Sequence, residues 1–432
     1  MNIQNLFSFI DKSPTAFHAI SEIETVLKEN GFQKLCETDS APITLGGRYY
    51  LERNGSSIIA FRVPDNRPSG FMIAASHSDS PTFKIKPNCE IEALGKYLKL
   101  NTERYGGMII PSWFDRPLSV AGRIAVETDD GIETRLVNLD RDLAVIPSVA
   151  IHMNRTVNDG YKYNPATDTL PLVASLSSKL SLKELAANEL GIAPASILGH
   201  DLFLYCRQKG CLIGACESFF LSPRIDNLEC AYATLQGFLE ADVKKSCAVY
   251  AVFDNEETGS ETKQGAASDF LITVLERIAA DLSIKALSPL LANSMMLSAD
   301  NAHARHPNHP ELADGQNAPH MNEGIVIKYN ASQRYTTDGV SAALFQKMCE
   351  KAAVPTQVYA NRSDMAGGST LGSIASTRVS LKTVDIGLAQ LAMHSACETA
   401  GVKDAAYLAD ASRIFFSASL QTDGNRIRIE YT

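Results

Sequence analysis

The chain has 432 residues, 45% hydrophobic and 21% charged, an ordinary globular mix long enough for two or three domains. Its formal net charge of −9, with no basic cluster, argues against a nucleic-acid partner. No stretch approaches the roughly 20 apolar residues of a membrane span, so no membrane partner is expected.

The first 35 residues carry apolar positions every three or four and read as helix, not as a signal peptide, since no basic leader precedes a long apolar run. Ser13 and Pro14 are expected to open a second helix there, as cap and first turn. "SSIIAFRVP" and "GFMIAASHSDS" follow as strands, separated by the turn "DNRPSG". From about 85 to 212 short alternating segments such as "LSVAGRIAVET" and "IETRLVNL" are joined by Gly, Pro and Asp-Gly, a β-rich texture. One helix, "SLKELAANELG", interrupts it, with Ser181 and Glu184 at capping-box spacing. After 213, helices such as 227–241, 266–282 and 339–354 alternate with strands at 247–255, 294–302, 356–362 and 379–387. That alternation predicts an α/β fold with a largely parallel sheet flanked by helices. Residues 1–84 join 213–432 in it, and the β-rich 85–212 is an insertion.

Nine cysteines form no CxxC pair, and Cys206, Cys211 and Cys216, five apart, suit neither a zinc knuckle nor a redox pair. They are expected as small buried thiols in a reducing, cytoplasmic compartment. Outside a secretory route, the Asn-x-Ser triplets at Asn54 and Asn330 are chance matches.

Polar residues recur directly beyond the apolar runs: His77 and Asp79 after "GFMIAAS", Glu256 and Glu257 after "AVYAVFDN", Asp300 after "MMLSA", and His394 after "GLAQLAM". Asp226 stands immediately before a helix. Taken singly, a histidine of this kind reads as core or surface, Asp226 as a helix cap and Asp300 as a turn acid. Taken together, they lie where open α/β sheets bind ligands, beyond the carboxyl ends of the strands. Three carboxylates (Asp226, Glu257, Asp300) with neutral His77 and His394 nearly balance two Zn2+ ions and leave a slightly positive centre, able to acidify water. Asp226 is the expected bridge, because a helix start fixes its position. Neighbouring Glu256 and Glu257 point different ways, so Glu257 is expected to bind metal and Glu256 to serve as general base. Asp79 would hold the second nitrogen of His77. HExxH, G-x-S-x-G, Walker and GxGxxG patterns are absent, and "AGGSTLG" (366–372) reads as a tight turn lining a site.

"SHSDSPTFKIKP", "YGGMIIPSWFDRPLSVAGR", "AIHMNRTVN", "SPRIDNLECAYATL", "DNEETGS", "SADNAHARHPN", "IKYNASQRY" and "LAMHSACE", in that order, resemble the aspartyl aminopeptidase family of dinuclear zinc exopeptidases. The resemblance runs to about residue 418. It implies the same ligand and base roles, two Zn2+ per subunit, and a zinc-exopeptidase-like catalytic domain interrupted by a β-rich oligomerisation domain. It further implies a homododecamer, with His152 reaching a neighbouring subunit's active site. Lys328 and Tyr335 match pocket residues of the family, although the sequence alone reads Lys328 as a surface lysine and His152 as a turn histidine. The implied activity is hydrolysis of N-terminal residues from peptides, with Asp or Glu preferred. A preference for neutral residues and a related dinuclear deacylase are the alternatives.

Overall fold

The computed structural model describes residues 1–178 and 181–431. Its largest element is a mixed nine-stranded sheet in the order Gln33–Lys34, Arg48–Arg53, Ser57–Arg62, Cys247–Phe253, Phe71–His77, Met295–Ala299, Lys382–Gly387, Ile325–Tyr329, Thr356–Ala360. The four neighbours from Cys247–Phe253 to Lys382–Gly387 are mutually parallel, so their carboxyl ends emerge along one edge. Ser57–Arg62 and Ile325–Tyr329 run antiparallel to them on either side.

These strands are buried along their whole length, because helices cover both faces. The two-residue side-chain period sorts them cleanly. Met72, Ala74, Tyr250 and Val252 pack with helices Ile3–Lys12, Ala16–Glu29, Ile225–Glu240 and Asp404–Ser417. Ile73, Ala75, Val249 and Ala251 pack with Phe270–Asp281 and Leu371–Arg378 on the other face.

A second sheet of six antiparallel strands has the order Gly131–Asn138, Leu118–Thr128, Ile197–Cys206, Thr82–Ala93, Tyr97–Tyr105, Leu172–Ser175. It has its own core around Phe83, Trp113, Val120 and Leu204, closed by helix Leu182–Leu190. A five-stranded sheet (Cys211–Ile213, Phe219–Ser222, Glu398–Gly401, Ala389–Leu391, Ala302–His303) lies in sequence beside the ends of the first. Residues Ala418–Asp423 and Arg426–Tyr431 form a hairpin.

Three local expectations change. Ser13 closes the first helix, its N–H on the Ile10 carbonyl, and the second helix starts at Ala16 behind Thr15. The stretch after "AGG" forms helix Leu371–Arg378. The cysteines are not uniformly interior: Cys36 and Cys216 are exposed and Cys89 and Cys211 half-buried, whereas Cys206, Cys230, Cys247, Cys349 and Cys397 are buried. Among the described residues no helix is long and apolar enough to cross a membrane.

Candidate metal centre

The parallel strand ends deliver the donors. His77 is the last residue of its strand; Asp300 follows Ala299 directly, and Glu256 and Glu257 sit in a single 3-10 turn just past Phe253. Asp226 enters from a helix whose first residues, Asp226 and Asn227, are not yet helical. His394 comes from a loop and holds a left-handed backbone, φ 68°.

These five donors converge. His77 Nε2 lies 3.3 Å from Asp226 Oδ1 and 3.4 Å from Asp300 Oδ1. His394 Nε2 lies 3.4 Å from Asp226 Oδ2 and 3.4 Å from Glu257 Oε2. Asp226 therefore turns one oxygen towards each histidine. Two sets of three donors, His77–Asp226–Asp300 and Asp226–Glu257–His394, each fall within a 4.8 Å span and share Asp226. Glu256 belongs to neither; it groups instead with His77 and Glu257.

A surrounding frame holds the donors. His77 Nδ1 is 3.0 Å from the main-chain oxygen of Asp79 and 3.4 Å from its carboxylate. That carboxylate accepts the N–H groups of Glu256 (3.1 Å) and Glu257 (3.2 Å) and the Tyr105 hydroxyl (2.7 Å). Asp79 thus clamps the glutamate turn as well as facing the imidazole. Glu398 accepts the N–H of Asp226 on one oxygen (3.0 Å) and of His394 on the other (2.7 Å), tying the two entering segments together. A Cβ on Gly387 would lie 1.9 Å from the Asp300 carbonyl oxygen, so that strand passes Asp300 only as glycine.

Burial and mutual repulsion dominate the electrostatics. Burial pushes Glu256 up to about 8, Asp300, Asp79 and Asp226 adding to the rise and His77 opposing it. Glu257 is raised well above the usual carboxylate range, by burial first and then by Asp226. Glu398 rises to about 8 by burial, then Asp226; Asp254, behind the turn, rises to about 7 by burial, then Asp79. Burial opposes charge on His77, but Asp226, Asp300 and Asp79 outweigh it and raise the imidazole. Asp226 is held low: its two histidines overcome the burial penalty. Among the described residues the one lysine paired with this group is Lys328, 3.7 Å from Asp300, and no arginine pairs with it. Asp226 Oδ1 and Glu257 Oε1 are buried and accept no hydrogen bond. Crowded acids, imidazoles and idle buried oxygens are the donor chemistry that fits divalent zinc, which repays burial by ligation.

The remaining residues named from sequence are Lys328 and Tyr335 beside the cluster and His152 away from it. Lys328 is not a surface lysine: it is 3% exposed, its ammonium donates to the Asn301 carbonyl (2.7 Å), and it stands over the Tyr335 ring at 5.5 Å. The strand containing it runs against Lys382–Gly387, with Gly387 opposite Val326. Tyr335 is also buried. His152 is exposed in a turn and shares no described hydrogen bond or ion pair with the cluster. Gly367 and Gly368 line a cavity with His303 and Tyr359, in an extended approach to helix Leu371–Arg378 rather than in a tight turn. Sequence reasoning passed over Glu398, Tyr105 and Asp254. Glu398 stood in plain view four residues after His394, but nothing periodic marks an acid that acts by accepting N–H groups.

Buried carboxylates and imidazoles gathered at the carboxyl edge of the parallel strands of a helix-covered sheet have the makings of a metal-dependent enzyme site. The match to known proteins is more specific. The model of the aminopeptidase I zinc metalloprotease (M18) family matches residues 9–416, and the chain belongs to that family. It is a metallo-aminopeptidase, a hydrolase. A probable M18 family aminopeptidase 2 of Clostridium acetobutylicum is 44% identical over 424 residues, covering 96% of this chain and 98% of its own. Among solved structures, the cryo-EM structure of the Ape4 and Nbr1 complex superposes with a TM-score of 0.91 at 36% identity, covering 96% of this chain and 85% of that one. The S. cerevisiae mApe1 dodecamer gives 0.85 at 28% identity, covering 96% and 95%.

Proposed function

We propose that this aminopeptidase works through two zinc ions, one held by His77, Asp226 and Asp300 and the other by Asp226, Glu257 and His394. The observation that carries the reading is the pair of donor triads sharing one carboxylate. When bound, the metals would polarise the scissile carbonyl and acidify water. Glu256, outside both triads and held by the Asp79 carboxylate at its N–H, takes a proton from the attacking water and returns it to the leaving nitrogen. Asp79 and Glu398 position the donors and do not touch substrate.

The substrate is a peptide whose N-terminal residue is Asp or Glu. Lys328 and Tyr335 are proposed to receive that side chain; the ammonium keeps donors beyond its bond to Asn301 and is a point charge for a carboxylate. Residues 1–84 and 213–432 form the catalytic domain and 85–212 the oligomerisation domain of a cytoplasmic homododecamer. Two features support assembly: the dodecameric mApe1 relative, and exposed Val149, Ile151 and Met153 flanking His152. His152 would then serve a neighbour's site.

The test is a rate profile over Asp-, Glu-, Leu- and acyl-amino-acid anilides, with chelator and then zinc. Acidic residues turned over fastest, lost with chelator and restored by about two zinc per subunit, is the expected result. Leu fastest would make it a neutral aminopeptidase, and cleavage of acylated substrates a deacylase.

A further inference from the structure

Outside the centre, two cysteines far apart in sequence face each other. Cys206 ends strand Ile197–Cys206 of the six-stranded sheet, and Cys397 lies in the loop between His394 and Glu398. Their sulfurs are 3.7 Å apart. The residues are only 3% and 6% exposed, so bulky thiol reagents are excluded. Cys206 nevertheless lines a cavity of about 150 Å³ that reaches Asp79 and Asp226 of the centre on one side and is bordered by Ser395, Ala396 and Glu398 on the other. A volume of that order holds several molecules the size of water, whose share of liquid is about 30 Å³. The Arg116 guanidinium donates to Cys397 Sγ at 3.4 Å. Arg224, with no carboxylate partner among the described residues and its Nε unbonded, adds a second positive field.

We propose that Cys206 and Cys397 are a reversible oxidation site for hydrogen peroxide or a similarly small hydroperoxide, and that closing their disulfide slows the enzyme. Geometry carries the proposal: two buried thiols in contact, a cavity that admits a small oxidant, and two guanidiniums that favour a thiolate. Cys206 is the sulfur that borders the cavity, which makes it the attacking one; the Cys397 contact, the Gln208 main chain and then Arg116 and Arg224 lower its thiol against burial. Cys206 thiolate attacks one peroxide oxygen, the O–O bond breaks, and Cys206 becomes a sulfenic acid as one water leaves. Cys397 sulfur then attacks that sulfur and expels the second water. Two thiols lose two electrons, and the peroxide is reduced to two waters. The sulfurs must close by about 1.7 Å to reach bonding distance, which draws the loop towards the six-stranded sheet. That loop presents His394 and Glu398, and Glu398 holds the main chain of both Asp226 and His394. The effect on rate rests on the proposed role of His394; the disulfide does not.

The experiment treats full-length, zinc-loaded protein with hydrogen peroxide and reads two quantities: peptide mapping without reduction, and anilide turnover before and after dithiothreitol. Expected are a Cys206–Cys397 linked peptide pair, about a ten-fold fall in turnover as for a disturbed supporting shell, and recovery on reduction. Cys206→Ser and Cys397→Ser should keep full turnover when reduced and lose peroxide sensitivity. If peroxide modifies exposed Cys36 and Cys216 but links no Cys206 to Cys397, the site is overturned. A linked pair with unchanged turnover overturns the control of rate while leaving the metal reading intact.

Discussion

Asp201 and the Glu256–Glu257 turn are both partly or wholly buried acids, yet they are treated in opposite ways. Asp201, in the six-stranded sheet, has Lys84 Nζ at 2.9 Å on one oxygen and Arg123 Nε at 3.0 Å on the other. Burial works to raise it, but Lys84 and Arg123 prevail, and its carboxyl lies below the ordinary range. Among the described residues no lysine or arginine pairs with the glutamate turn, and burial drives both carboxyls up. An acid neutralised by its own chain is part of the architecture. A group of acids left unneutralised inside a protein is a site that expects its cations from outside.

The sharpest way to break that contrast is Glu256→Gln. It should lower kcat by roughly 10²- to 10⁴-fold while zinc content measured by atomic absorption stays that of the parent. Normal turnover would remove Glu256 from the proton path. Asp226→Asn comes next: removing the shared charge should weaken zinc binding about 10- to 100-fold or more in a competition titration, whereas Asp201→Asn should leave it unchanged. Asp201→Asn should instead lower stability by at most about 1 kcal/mol in urea unfolding at pH 7. The sign follows from its depressed carboxyl: the contribution is present above the unfolded value of about 3.9 and lost as pH falls through the lower folded value. The mutant and parent should therefore converge in acid. Smallest of all, Glu350→Gln, which breaks an exposed pair with Lys347, should change stability by less than about 0.5 kcal/mol at any pH.

Much of the site was legible because three of the five donors follow an apolar run that can only be an interior strand. His77, Glu257 and Asp300 are marked in this way, and Asp226 by the helix it precedes. Glu398 and Tyr105 were not legible, since their work is to accept or donate to main-chain and carboxylate groups brought from elsewhere. Lys328 was misread for the same reason: alone, a lysine at the end of "IVIKY" has no visible reason to be inside. In the fold its ammonium meets the Asn301 carbonyl and the Asp300 carboxylate. The cysteines repeat the lesson. No short-range spacing pairs Cys206 with Cys397, 191 residues away, yet their sulfurs touch.

By itself the order of residues determined the strand–helix alternation, the β-rich middle, the edge where the acids emerge and the family to which the chain belongs. Those follow from periodicity and local motif, which are properties of neighbours along the chain. Only the tertiary structure decided that Asp226 faces both histidines, that Asp79 and Glu398 brace opposite sides of the cluster, and that Lys328 is interior. Such facts depend on how separate strands are registered within a sheet and how sheets abut, and a hydrogen bond of 3 Å is set by that register rather than by any local pattern.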